Sequence, residues 1–187
     1  VIFSYSKNTE GEFKQFPVTF WKNMKSQSPL FRQKFNYYKQ YARADIDKLF
    51  TEKELLGVKN WIVNYDKSAY VENLGNGKFS VHSLPIAAQF APVYDFEVSD
   101  LNNDNINDVL LIGNDYGNEP FIGPYDALCG LILMGTDKNL FDPVSHDKSG
   151  FCVPGNARSI EKIKNNNGED LFLISQNSGK LLMFESN

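Results

Sequence analysis

The chain has 187 residues, 42% hydrophobic and 14% aromatic, enough apolar surface to fill one domain core. Its net charge of −4 and pI near 5.2 argue against a nucleic-acid partner, since no basic stripe stands ready to neutralise phosphates. No apolar run reaches the ~18–20 residues that a membrane span requires.

Val1-Ile-Phe-Ser-Tyr5 reads as a strand whose neighbour lies upstream, and a first residue other than Met is expected of a processed protein or a fragment. Residues 17–57 then carry aromatic and aliphatic side chains at helical spacing: Phe31, Phe35 and Tyr38, followed by Ile46, Leu49 and Phe50. Ser28-Pro29 fits an N-cap with Pro at the first helical position, Thr51–Glu54 fits a capping box, and Gly57 fits a helix end. The basic residues of this stretch, Lys22, Lys25, Arg32, Lys34, Lys39 and Arg43, read as the solvated face of a small helical insertion.

From residue 58 onward the pattern is β. Turns recur at Leu74–Phe79, Met134–Phe141 and Asn177–Phe184, each after an apolar strand and each supplying Gly or Asn where positive φ is needed. Within this region Asp100–Asp108 places side-chain oxygens at loop positions 1, 3, 5 and 9 (Asp100, Asn102, Asp104 and Asp108), with the Ile106 carbonyl at position 7. That spacing suits a hard cation taking six to eight oxygens at roughly 2.3–2.6 Å, which predicts Ca²⁺. Position 6 is Asn105 in place of Gly, and Asn tolerates a left-handed conformation. Position 12 is Leu111, so the bidentate Glu of an EF-hand is missing. The run Val109–Gly113 reads as a buried strand, making the unit strand–loop–strand.

A degenerate copy follows. Aligning Asp108–Ile112 with Asp170–Ile174 places Lys162 opposite Asp100 and Lys164 opposite Asn102, so the copy carries cations where ligands would stand. Repeats of ~40–60 residues with about four short strands each predict blades of a β-propeller. The loop, its aliphatic strand and the Gly75-Asn-Gly-Lys-Phe79 hairpin resemble the FG-GAP/VCBS repeat of integrin-α-like propellers. More narrowly, Tyr70–Phe79, Ala88–Tyr94, Gly123–Ala127 and Ser149–Gly155, with Tyr37–Ala42 of the helical part, resemble the C-terminal part of large VCBS-repeat proteins of Bacteroidota, of the type associated with an ASPIC/UnbV domain. Asn105 and the two cysteines depart from that pattern. The resemblance implies an exported protein at the cell surface or outer membrane, and no characterised reaction. The resulting organisation is a strand of a preceding blade (1–16), a helical insertion (17–57) and propeller blades with one calcium loop (58–187).

Catalysis has thin support. His82 and His146 are isolated, and no hydrolase or zinc-protease motif occurs. Asp95 and Glu97 alternate on one strand face, ~6.5–7 Å apart at Cα; such residues read as wall groups facing solvent before they read as a glycosidase pair. The long connection Asn114–Ala127 offers Tyr116, Phe121 and Tyr125 for stacking on a sugar or peptide, and Asp115 and Asp126 as acceptors; an Ω-loop packed by its own aromatics is the competing reading. Cys129 and Cys152 are open to two readings, a disulfide or two buried thiols; in an exported protein the bond is expected to join adjacent strands of one blade.

Together these features predict a mainly β, non-enzymatic, calcium-stabilised propeller module acting in binding or as a scaffold. Its expected partners are further blades of the same polypeptide or an outer-membrane surface protein. The alternative is a carbohydrate-binding or carbohydrate-processing propeller.

Overall fold

A computed structural model of the chain describes residues 2–120, 122–137 and 140–186. With 36% strand and 18% helix, arranged in small antiparallel sheets, the protein is mainly β. Two compact units divide it, Val1–Val63 and Asn64–Asn187. Among the described residues the sheets have two, two, three and four strands and do not close into a ring.

The first unit opens with a hairpin of β1 (Phe3–Lys7) and β2 (Phe13–Pro17), so one edge of β1 is paired with the strand that follows it. The turn follows from Asn8, whose Oδ1 accepts the amides of Glu10 and Glu12, each at 2.9 Å. Five short helices follow: α1 (Trp21–Gln27), α2 (Pro29–Lys34), α3 (Tyr38–Tyr41), α4 (Ile46–Leu49) and α5 (Glu52–Leu55). Ser28 caps α2 ahead of Pro29, and Thr51 and Glu54 form a reciprocal capping box on α5. None of these helices is long enough to stand alone. They are held by a core of Trp21, Met24, Tyr41, Ala44 and Leu49, with Phe3, Phe31, Phe35 and Phe50 against it. The Trp21 ring stacks on Tyr41 at 4.9 Å, and the Tyr41 hydroxyl donates to the Thr19 carbonyl.

The second unit begins with the hairpin β3 (Ala69–Gly75) and β4 (Lys78–Ser83). A four-stranded meander follows in sequence order: β5 (Val93–Ser99), β6 (Asp108–Gly113), β7 (Leu131–Gly135) and β8 (Phe141–Val144). After the single turn α6 (His146–Ser149) comes a second meander of β9 (Ala157–Lys164), β10 (Asp170–Gln176) and β11 (Leu182–Glu185).

The two meanders pack on each other, and alternation along β6 explains how. Leu110 and Ile112 point into a cluster with Phe151, Val153, Ile160, Phe172 and Ile174. Leu111 points to the opposite face, into a cluster with Ala88, Ala91, Leu128, Leu131 and Leu133. β6 is therefore buried on both faces, which is why its sequence is a continuous aliphatic run and not an alternating one. Its neighbour β5 keeps the alternation: Asp95 and Glu97 are half-buried, while Tyr94, Phe96 and Val98 are exposed. No helix among the described residues is long and apolar enough to cross a membrane.

Candidate functional site

The loop 100–107 joins the first two strands of the four-stranded meander, starting beside the Ser99↔Asp108 pair. Its side chains fold back onto its own amides. Asp100 accepts from Asp104 N through Oδ1 (3.1 Å) and from Asn105 N through Oδ2 (2.9 Å). Asn102 Oδ1 takes the same Asp104 amide at 3.1 Å, and Asp104 Oδ1 takes Ile106 N at 2.7 Å. The Asn102 side-chain amide donates to Asp104 Oδ2 at 2.8 Å. Asn103 and Asn105 hold the left-handed conformation, at φ 60° and 67°, that lets so short a loop coil on itself. Three of the four expected ligand side chains thus share one coil of backbone.

Asp108 turns the other way. Its side chain is fully buried, Oδ2 accepts Leu101 N at 2.9 Å, and Oδ1 accepts Gly135 N at 2.8 Å on β7. Gly135 is required here, because a Cβ would run into the Asn107 carbonyl. The donor set is made of hard oxygens and suits Ca²⁺ in chemistry. In position, the three carboxylates are spread over the loop's amides, and among the described residues no three acidic, His or Cys side chains converge into a metal-holding group.

The degenerate copy differs in its turn. Five residues (165–169) lie between the paired Lys164 and Asp170, against eight (100–107) between Ser99 and Asp108. Lys162 and Lys164 are consequently strand residues of β9, and the ungapped alignment that set them opposite Asp100 and Asn102 is displaced by three. Lys162 reaches the Val98 carbonyl at 3.3 Å, and Lys164 reaches Asp170 and the Gly168 carbonyl at 2.6 and 3.2 Å.

The connection after β6 is anchored at both ends. Buried Asn114 donates through its side-chain amide to the carbonyls of Leu128 (2.7 Å) and Gly155 (3.1 Å) and accepts Leu128 N at 3.0 Å. Asp115 and Tyr125 exchange both backbone hydrogen bonds, and the Tyr116 hydroxyl donates to the Pro154 carbonyl at 3.2 Å. The rings of Tyr116 and Tyr125 remain half exposed, Asp126 is exposed, and Phe121 lies outside the described residues.

Sequence reasoning passed over Arg158, which stacks 3.7 Å over the Tyr94 ring and lies 3.7 Å from Asp115 Oδ1. It also passed over the role of Asp95, whose Oδ2 accepts Ile160 N at 3.0 Å and ties β5 to β9. Asp95 and Glu97 each also bond the amide of the following residue, as local braces of the strand. Cys129 and Cys152 are joined with Cα atoms 5.1 Å apart; they link the segments that precede β7 and β9, not two neighbouring strands of one sheet.

Compared with known proteins, the chain matches no family model, no curated protein and no solved structure.

Proposed function

We propose that this chain is a non-enzymatic β-propeller module of an exported or cell-surface protein, stabilised by Ca²⁺ at the loop 100–108 and used for binding or as a scaffold. The observation that supports this reading most is β6. It begins at the cation loop and is buried on both faces between its own meander's cover and the next meander, the position of a strand inside a stack of blades. In this reading Asp100, Asn102, Asp104, the Ile106 carbonyl and Asp108 hold the ion. Its charge offsets the repulsion of three carboxylates within nine residues. The exposed stripe Tyr94, Phe96 and Val98 on β5 is then the surface met by a further blade or by a surface-protein partner.

Titration calorimetry tests the metal. One Ca²⁺ site is expected in the unmodified chain, with the binding heat lost in Asp100→Ala/Asp104→Ala. Absence of calcium heat at millimolar concentration, or unchanged heat in the double variant, overturns the reading.

One observation favours carbohydrate as the bound class: Tyr116 and Tyr125 keep half of their surface in solvent although the backbone is pinned at Asp115–Tyr125 and the Tyr116 hydroxyl is held by the Pro154 carbonyl. A glycan array separates this reading from pure scaffolding. Binding that survives Tyr116→Ala/Tyr125→Ala excludes the loop.

A further inference from the structure

We propose that the outer edge of β11 binds an extended peptide segment of another polypeptide as an added antiparallel strand, with a basic residue opposite Glu185 and an apolar residue opposite Met183. This names a surface and a partner class that the module reading leaves open. It rests on the two meanders alone and needs neither the metal nor a closed ring.

The chain itself shows what such an edge takes. Both meanders run in sequence order, and Asp108–Ile112 of β6 matches Asp170–Ile174 of β10, the second strand of each. β7 and β11 are therefore equivalent third strands. On the outer edge of β7 the chain lays β8, antiparallel, with Ile132 opposite Val144 and Met134 opposite Asp142. β11 has β10 beside it and, among the described residues, ends its sheet. Alternation in an antiparallel pair fixes which of its groups face outward. Ser186 N donates to the Asp170 carbonyl at 3.4 Å, so Phe184 and Leu182 also turn their amides to β10. The N–H and C=O of Met183 and Glu185 then point away from the sheet. Met183 is 64% exposed and Leu181 65%, and Glu185 is exposed as well.

The two edge strands differ in how they meet solvent. β8 is blunted against a further strand by the charge of Asp142 and by Pro143, which has no N–H to donate. β11, Leu-Met-Phe-Glu, carries neither proline nor lysine and pairs with β10 without a bulge, so its composition is that of an inner strand such as β7. Charge then selects the occupant. Directly opposed residues interact across a strand pair, and Glu185 favours a cation in that position. A second copy cannot set one there. If β11 paired with itself about a two-fold axis, its outward residues, all odd-numbered, would oppose odd-numbered ones; Lys180 is even, and the odd positions from 177 to 187 hold no basic residue. A foreign strand is free of that restriction. A basic–x–apolar sequence running antiparallel to β11 sets its basic residue at Glu185 and its apolar one at Met183. The main-chain bonds give affinity, and the two side chains give selectivity.

The test uses the whole chain and the peptide acetyl-Thr-Lys-Thr-Val-Thr-Ile-Thr-amide, titrated to millimolar concentration and followed by NMR. Saturable binding is expected, with exchange of the Met183 and Glu185 amides slowed about tenfold in the complex. Methylating the Val nitrogen removes the donor to the Met183 carbonyl and is expected to weaken binding about tenfold. Glu185→Lys, with its fold checked by circular dichroism, is expected to weaken the Lys peptide about fivefold and to strengthen the peptide that carries Glu in place of Lys. A merely structural role for Glu185 would not produce that exchange of preference. The proposal is overturned if the peptide does not saturate, if the methylated peptide binds as well, or if the charge swap leaves both affinities unchanged. It is also overturned if light scattering and exchange show a dimer in which the Met183 and Glu185 amides are already protected without peptide.

Discussion

The Lys164 ammonium lies 2.6 Å from the Asp170 carboxylate and 3.2 Å from the Gly168 carbonyl, so the β9–β10 turn carries its own positive charge on the chain. The hydrogen bond from Lys164 is the main reason the Asp170 carboxyl is held below its ordinary value, with the Lys164 and Lys162 charges adding to it. A turn neutralised in this way has no use for a metal. Amide hydrogen exchange of residues 165–169 is therefore expected to be the same in calcium and in EDTA, while residues 101–107 slow in calcium. Equal slowing at both turns would contradict this.

Asp104→Ala is expected to lower the melting temperature in calcium buffer and to leave it nearly unchanged in EDTA. The exposed Asp104 side chain bonds only within the loop, to Ile106 N and the Asn102 amide, so little else depends on it. An equal loss in both buffers would remove the metal from the account.

Asp108→Ala is expected to behave differently. Its buried carboxylate holds two amides, Leu101 N and Gly135 N, and the substitution leaves both without a partner. A loss of about 3 kcal/mol is expected in EDTA from the two amides alone, and a larger one in calcium, where a ligand of the proposed ion is lost as well. Chemical denaturation measures it, and a variant as stable as the parent in EDTA would show that the two amides find water.

Intact mass of the unreduced protein is expected to rise by about 2 Da on reduction, since Cys129 and Cys152 are paired. The bond closes a loop with a sequence separation of 23 and is expected to contribute about 3 kcal/mol, most of which reductant removes. Two thiols detected before reduction would exclude it.

Glu54 carries the pH prediction. The Thr51 amide first, and then the Lys34 ammonium, lower its carboxyl from 4.5 to about 2. A depressed folded-state value means the contribution is complete above the unfolded value of 4.5 and fades as pH falls through 4.5 toward 2. The melting-temperature difference between the parent and Glu54→Gln is therefore expected to shrink between about pH 6 and about pH 2. A constant difference would assign the effect to packing.

Local features were legible and distant ones were not. The Asp100–Asp108 spacing, the aliphatic run of β6 and the Gly75–Gly77 turn each depend on residues close in sequence. Asn8 and Gly11 carried an equally local signal, for the turn that joins β1 to β2. Asn114 is different, because its partners Leu128 and Gly155 stand 14 and 41 residues away. Asp95 finds Ile160 N 65 residues on, a distance over which a strand pattern offers no guide. The degenerate copy was misregistered for the same reason: the pairing of Lys164 with Asp170 sets the turn length, and similarity between the two strand sequences does not.

The chain has two tryptophans, and both fall in the first unit: Trp21, 2% exposed in its aromatic core, and Trp61, 90% exposed in the stretch before the boundary at Val63. Tryptophan emission is thus split by colour. A blue component belongs to Trp21 and shifts red only when that core melts. A red component belongs to Trp61 and is open throughout to iodide or acrylamide quenching. The second unit, which holds the loop 100–107 and the disulfide, emits through tyrosine alone, so the melting of each unit can be followed optically without cutting the chain.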